Sequence, residues 1–265
     1  MRGAFAAALF LTALLGGHVQ AEESATCAPE TIGAVTVRTV LDGRTLLLTD
    51  GREVRLAGIE VLPESKSALE AHMAGREIVL KRQKANPSTD RYGRVVAYAY
   101  SGQSAGPAPS AQVSAQVHLL SQGFARVAAR IGERIGDTSC AAELKAAEAA
   151  ARTARLGVWA GPHYVRQAGN PAEILGEKGR FALVEGRVLS VRESGGVIYV
   201  NFGRRWSEDF TVTVLKRSER AFSAAGVELK KLAGRNVRIR GYIEERGGPW
   251  IEATRPEQIE VAERN

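Results

Sequence analysis

From Ala34 the chain alternates in strand fashion: AVTVRTVL, a turn at Asp42-Gly43, TLLLTD, a turn at Asp50-Gly51, then EVRLAGI. Period-two runs broken by Asp-Gly pairs predict short antiparallel strands in a meander. The period then changes. Pro63 fits the first position of a helix, Leu69, His72 and Met73 are spaced for one face, and Gly75 supplies the stop. EIVLKRQ and RVVAYAY predict two more strands, joined across KANPSTDRYG. SGQSAGPAPSAQ reads as a loop, and VHLLSQG as a short helix ended by Gly123. CAAELKAAEAAARTARLG predicts a longer helix bounded by Ser139 and Gly157. Five strands with a helix after the third is the layout of an OB-type barrel.

Pro162, Gly169, Asn170 and Pro171 mark residues 161–176 as a linker. Strand patterning resumes beyond it with RFALVEGRVLSV, a Gly195-Gly196 turn, VIYVNF, DFTVTV, NVRIRGYIEE and WIEATRP; SERAFSAAG reads as a helix between the third and fourth strands. The predicted fold class is mainly β with helices, as tandem five-stranded OB-type barrels. The first covers residues 30–160 with three helices, and the second covers 177–265. Alternation in NVRIRGYIE puts Val237, Ile239, Gly241 and Ile243 on one face and Arg238, Arg240 and Tyr242 on the other. Basic residues interleaved with an aromatic suit single-stranded nucleic acid, with bases stacking and phosphates paired. Trp250, Arg204, Arg205 and Trp206 extend that surface.

Composition narrows the class. Hydrophobic content of 45% with 25% charged residues excludes a disordered chain. Residues 1–21 stand apart: Arg2 is followed by the apolar run AFAAALFLTALL, and Val19-Gln20-Ala21 offers small residues for cleavage. They read as a signal peptide of an exported protein, periplasmic or secreted; the alternative is an uncleaved anchor. No other long apolar run follows, so the mature chain carries no expected membrane span. In an oxidising compartment the only two cysteines, Cys27 and Cys140, pair as a structural disulfide. The formal charge of +7 suits a polyanionic partner.

Chemistry concentrates in VRLAGIEVLPES, Val54 to Ser65, where Arg55, Glu60 and Glu64 interrupt a segment otherwise patterned for burial. An unpaired buried charge costs several kcal/mol, so these groups either face water or converge on a ligand. The segments VLDGRTLLL, VRLAGIEVLPES, DRYGRVVAY, LLSQGFARV and AELKAAEAAARTARLGVW run from about Val35 to Trp159. In order and spacing they resemble the staphylococcal-nuclease-like, or thermonuclease, family. The tail from about Phe181 is similar to the OB-like module attached to some exported members.

That resemblance implies a five-stranded barrel with three helices that hydrolyses phosphodiesters of DNA or RNA with one Ca²⁺. Motif by motif, it implies Glu64 as general base and Arg55 and Arg94 on the phosphate. A carboxylate can accept the proton, and a guanidinium meets phosphate bidentately while staying charged. Asp42 and Glu60 are the implied metal ligands. Here the pattern breaks, because the family's D-G-D-T is Asp42-Gly43-Arg44-Thr45 in this chain. Glu60-Val61-Leu62-Pro63-Glu64 is also one residue longer than the family's D-x-P-E. Arg44 either swings outward and leaves Asp42 and Glu60 a metal, or pairs with Glu60 itself. Three readings stay open: an exported nuclease, a catalytically inactive binder of DNA or RNA on the same scaffold, and an envelope protein that binds a protein partner. His72, His118 and His163 form no metal-ligand spacing.

Overall fold

A computed structural model describes residues 30–82, 89–101, 113–129, 139–161 and 164–262. The predicted leader, Cys27 and His163 lie outside them. Strands β1 (Glu30–Asp42), β2 (Thr45–Leu48) and β3 (Glu53–Leu56) form the expected meander. Next come β4 (Ile59–Val61), α1 (Ser65–Met73), β5 (Glu77–Arg82) and β6 (Val95–Ser101). A barrel closes in the order β1-β2-β3-β6-β5, with β3 and β6 parallel. Closure depends on the length of β1, which pairs with β5 through Thr36 and with β2 from Val37 onward. Inward-pointing Leu46, Leu48, Val54, Leu56, Ile78 and Leu80 are buried in the barrel. Each contributes roughly 1.5–3 kcal/mol by leaving water.

Among the described residues three α-helices serve the barrel, as expected. Pro63 precedes the first of them rather than opening it, since α1 begins at Ser65 with Glu64 at its N-cap. The Ser114 hydroxyl caps α2 (Ala115–Ser121) by accepting from the Val117 N–H. Strand β7 (Ala125–Val127) pairs antiparallel with β4, and α3 (Ser139–Thr153) follows, with Cys140 buried in its first turn. His72 on α1 and His118 on α2 stack face to face, with ring centroids 3.8 Å apart.

The described part of the predicted linker, residues 164–176, contains folded structure. Val165–Gln167 forms β8 and Pro171–Leu175 forms α4, tied together by Arg166, which ion-pairs with Glu173 and Glu177. The remaining tail contains β9 (Phe181–Arg187), β10 (Ser190–Ser194), β11 (Val197–Asn201), β12 (Thr211–Leu215) and α5 (Glu219–Ala224). It ends with β13 (Asn236–Tyr242), β14 (Glu244–Arg246), β15 (Gly248–Glu252) and β16 (Ile259–Val261). These strands divide into two sheets, β10-β11-β12-β15-β14 and β16-β13-β9-β8, around one apolar core. The helix expected between the third and fourth strands is α5. No helix among the described residues is long and apolar enough to cross a membrane.

Barrel and tail share a third, smaller core, in which Leu62, Ala151, Val158 and Trp159 meet Phe181 and Leu183. Beside it runs a buried ion-pair network. Arg240 of β13 and Glu148 of α3 are 0% and 1% exposed at their side chains and meet at 2.7 Å. Glu148 also accepts from the Val127 N–H at 2.8 Å, while Arg240 donates to the Val127 carbonyl at 3.1 Å. Glu260 of β16 bridges Arg238, Arg240 and Arg152. Val127 and Glu260 thus engage further donors and acceptors of the pair, which lowers the cost of burying it, while the Arg240 Nε has no partner among the described residues.

Candidate functional site

The site begins at the first hairpin. Gly43 is pressed against the β4–α1 junction so closely that a Cβ there would lie 2.8 Å from the Ser65 Cβ and 3.3 Å from Val61. Ser65 fixes that junction from below, accepting from the Leu62 N–H at 2.8 Å and donating to the Phe124 carbonyl. The packing carries Arg44 to Glu60. Arg44 Nη1 donates to Glu60 Oε2 at 3.1 Å and reaches the Ile59 carbonyl at 3.5 Å. Glu60's other oxygen accepts from the Tyr242 hydroxyl at 3.2 Å, so the tail reaches into the barrel's cleft. Arg126 stands directly across from Glu60 in the β4–β7 ladder. Asp42 turns back on its own hairpin, its Oδ1 accepting from the Arg44 N–H at 2.8 Å.

Arg55 lies on the neighbouring strand β3, opposite Thr45, and is half-buried. Burial, then the nearby Arg44 and Arg94 guanidiniums, pull it below the ordinary arginine range, while Glu60 and Asp90 partly compensate. Among the described residues its side chain has no hydrogen-bond partner. A guanidinium crowded by two others and left without an acceptor is suited to an anion. Arg94 is held differently. Asp90 Oδ2 takes its Nε at 2.9 Å and its Nη2 at 2.8 Å, while Oδ1 accepts from the Tyr92 and Arg94 N–H groups. Burial pushes the Asp90 carboxyl up, but these bonds outweigh it and leave the group below its usual range. Between Arg91 and Arg94 stands the Tyr92 ring, 66% exposed, with the two guanidiniums 4.8 and 5.1 Å from its centroid.

Sequence-predicted residues thus separate into three groups. Arg55, Glu60 and Arg94 come together with Arg44. Glu64 is exposed at the start of α1, has no side-chain partner among the described residues, and is not among the main charges acting on Arg55. Arg238 and Arg240 do not form the expected nucleic-acid-binding face. Arg240 is fully buried, and Arg238 is spent on Glu185 and Glu260 at 2.8 and 2.6 Å. Tyr242 stays exposed, but its hydroxyl belongs to Glu60, and burial plus that carboxylate push its phenol upward.

Asp90, Tyr92, Arg126 and the Tyr242–Glu60 contact are additions that the sequence reading misses. The spacing of Asp90 and Arg94 across the Gly93 turn signals their pairing. Nothing local signals that Tyr242 meets a residue 182 positions away.

Calcium takes six to eight oxygens, several from carboxylates. Here one Glu60 oxygen is occupied by a cation and the other by a hydroxyl donor, Asp42 serves its turn, and Arg126 adds positive charge nearby. No group of three or more His, Cys, Asp or Glu side chains among the described residues could hold a metal ion. The residues present do not fit the ion. Residues 53–161 match the family model described as staphylococcal nuclease homologue. The match spans Arg55, Glu60, Glu64 and Arg94 but begins after Asp42 and Arg44. No curated protein matches the chain.

Proposed function

We propose, for a chain that carries a staphylococcal nuclease homologue domain at residues 53–161, that it binds DNA or RNA through phosphate held at Arg55, without calcium-dependent hydrolysis. The observation that carries this reading is the Arg44–Glu60 ion pair with Tyr242 on the second Glu60 oxygen. It satisfies the acidic ligand with groups that repel or displace a cation. Arg55 meanwhile keeps a guanidinium unpaired among the described residues, which a phosphate oxygen would satisfy. Arg94, fixed by Asp90, adds charge on the same side, and the exposed Tyr92 ring offers a base a stacking surface.

Hydrolysis has one observation in its favour. The Glu64 carboxylate is exposed and unengaged among the described residues, so it is free to take a proton from water. In that reading Arg55 and Arg94 stabilise the charge building on the phosphate. Export belongs to the same proposal, with residues 1–21 removed and Cys140 of α3 joined to Cys27. Intact mass before and after reduction tests the bond; two free thiols in the exported protein would refute it.

The deciding experiment incubates single-stranded DNA, duplex DNA and RNA with the protein in Ca²⁺, other divalent ions or a chelator, following cleavage and binding together. Expected is salt-sensitive binding without cleavage. Metal-dependent cleavage that disappears in Glu64→Ala would overturn the binding-only reading in favour of the nuclease.

A further inference from the structure

One face of the tail carries features that the barrel's cleft does not use. β10, β11, β12 and β15 lie side by side, and their register lines up outward-facing side chains across strands. Asn201, Thr211 and Trp250 are neighbours in one row. Arg192 and Tyr199 are neighbours in the next. Opposite faces of the same strands bury Ile198, Val200, Val212 and Ile251. The outer face opens into a groove of about 620 Å³ whose lining includes Arg192, Arg204, Trp206 and Trp250 and no acidic residue.

Trp206 is 74% exposed, a costly way to hold a large indole in water. Its loop is built rather than slack. Asp209 accepts from the Arg205 N–H at 2.7 Å, and the Glu208 and Asp209 N–H groups return to the Arg205 carbonyl. Gly203 leaves the space that the Asp209 carboxylate occupies, since a Cβ there would fall 2.1 Å from its Oδ2. The β14–β15 turn backs the loop, with Gly248 against Glu208 and Asp209. Tyr199 and Trp250 meet edge to face at 6.2 Å, and Arg246 lies 4.8 Å over the Trp250 ring.

Charge identifies the occupant. Nearby Arg205 and Arg246 are paired with Glu208 and Glu244, and Lys216 with Glu193 and Glu219. Arg192 and Arg204, which line the groove, are exposed and have no carboxylate partner among the described residues. Aromatics and two guanidiniums without carboxylate partners among the described residues, above a floor where Asn201 and Thr211 are buried and bonded to each other, fit stacked bases with a phosphate backbone beside them. A neutral sugar would leave both arginines unused. We propose that this groove is a second binding site, for single-stranded nucleic acid, with bases stacking on Trp206 and Tyr199 and phosphates on Arg192 and Arg204.

The test measures anisotropy of a labelled oligothymidylate against the whole protein in an Arg55→Ala background, so that binding at the barrel's cleft does not mask the groove. Adding Trp206→Ala should weaken binding by roughly tenfold. Adding Arg192→Ser with Arg204→Ser should flatten the dependence of log affinity on log salt by about one to two. Trp206→Phe should retain most of the binding. All these positions are exposed, and unchanged thermal unfolding verifies the fold. The proposal is overturned if the groove variants bind like the Arg55→Ala parent. It is overturned equally if that parent binds no oligonucleotide, or binds only an acidic polysaccharide. If Arg55→Ala alone costs no affinity, the cleft reading fails and the groove's own variants still decide this one.

Discussion

Arg44 and Arg55 are both arginines at one end of the barrel, yet they do opposite things. Arg44 is spent on Glu60, and Arg55 has no hydrogen-bond partner among the described residues. Arg55→Ala is therefore expected to weaken oligonucleotide binding by about tenfold and to reduce the salt slope by about one. Fluorescence anisotropy over a range of salt concentrations checks both; an unaltered slope would mean that Arg55 touches no phosphate. The motifs lead one to expect Arg55, Glu64 and Arg94 together, with Glu60 and Asp42 as metal ligands. The charges acting on Arg55 are instead those of Arg44, Arg94, Glu60 and Asp90, and Glu64 is not among them. The partner of Arg44 is not legible either, because two outcomes share one sequence. What selects between them is the close packing of Gly43 on Ser65, a contact that exists only in three dimensions. Asp90's grip on Arg94 stands between these cases, readable from spacing once the turn at Gly93 is recognised.

Among the elements, α1 and α2 meet through the His72–His118 stack. Burial, then His118 and Arg76, lower His72 from its ordinary 6.5 to about 4, and burial and Arg76 lower His118. The folded protein thus holds His72 neutral, and His118 harder to protonate than usual, while the unfolded chain protonates near pH 6.5. Stability is full above that value and falls as pH drops toward 4, by about 1–2 kcal/mol after discounting for solvent screening. Unfolding midpoints measured across this range should show the loss, and His72→Gln should flatten it. A wild-type midpoint that does not move would contradict the assignment.

The sequence locates these helices, since the apolar spacing of Leu69 and Met73 is strong, but it treats the two histidines as unrelated. Elements also explain two failures of pattern reading. Alternation in β13 separates two faces correctly, yet it carries no information about what covers the second face. The Pro- and Gly-marked stretch before the tail hides β8, whose three residues become a strand only because β9 lies parallel to them.

Across the whole molecule, the tail and the barrel behave as one packed body through the Arg240–Glu148 pair and the shared core around Phe181. Arg240→Ala removes the closest partner of the buried Glu148, leaving it Arg152 at 3.6 Å and the Val127 N–H, at an expected cost of about 3 kcal/mol. Arg238→Ala should cost less, because Glu185 and Glu260 are partly solvated. Denaturant unfolding of the two variants checks the order; the reverse order would mean that the buried pair does not hold the interface.

The same docking brings Tyr242 onto Glu60, so the architecture of the tail bears directly on the chemistry of the barrel. The most direct test of the account is a calorimetric calcium titration of the wild-type protein beside Arg44→Asp. No saturable calcium binding by the wild type is expected in the range up to about millimolar, and a gain of roughly a hundredfold or more is expected in Arg44→Asp. Saturable wild-type binding that Glu60→Gln abolishes would contradict it, because Glu60 would then be holding an ion rather than Arg44.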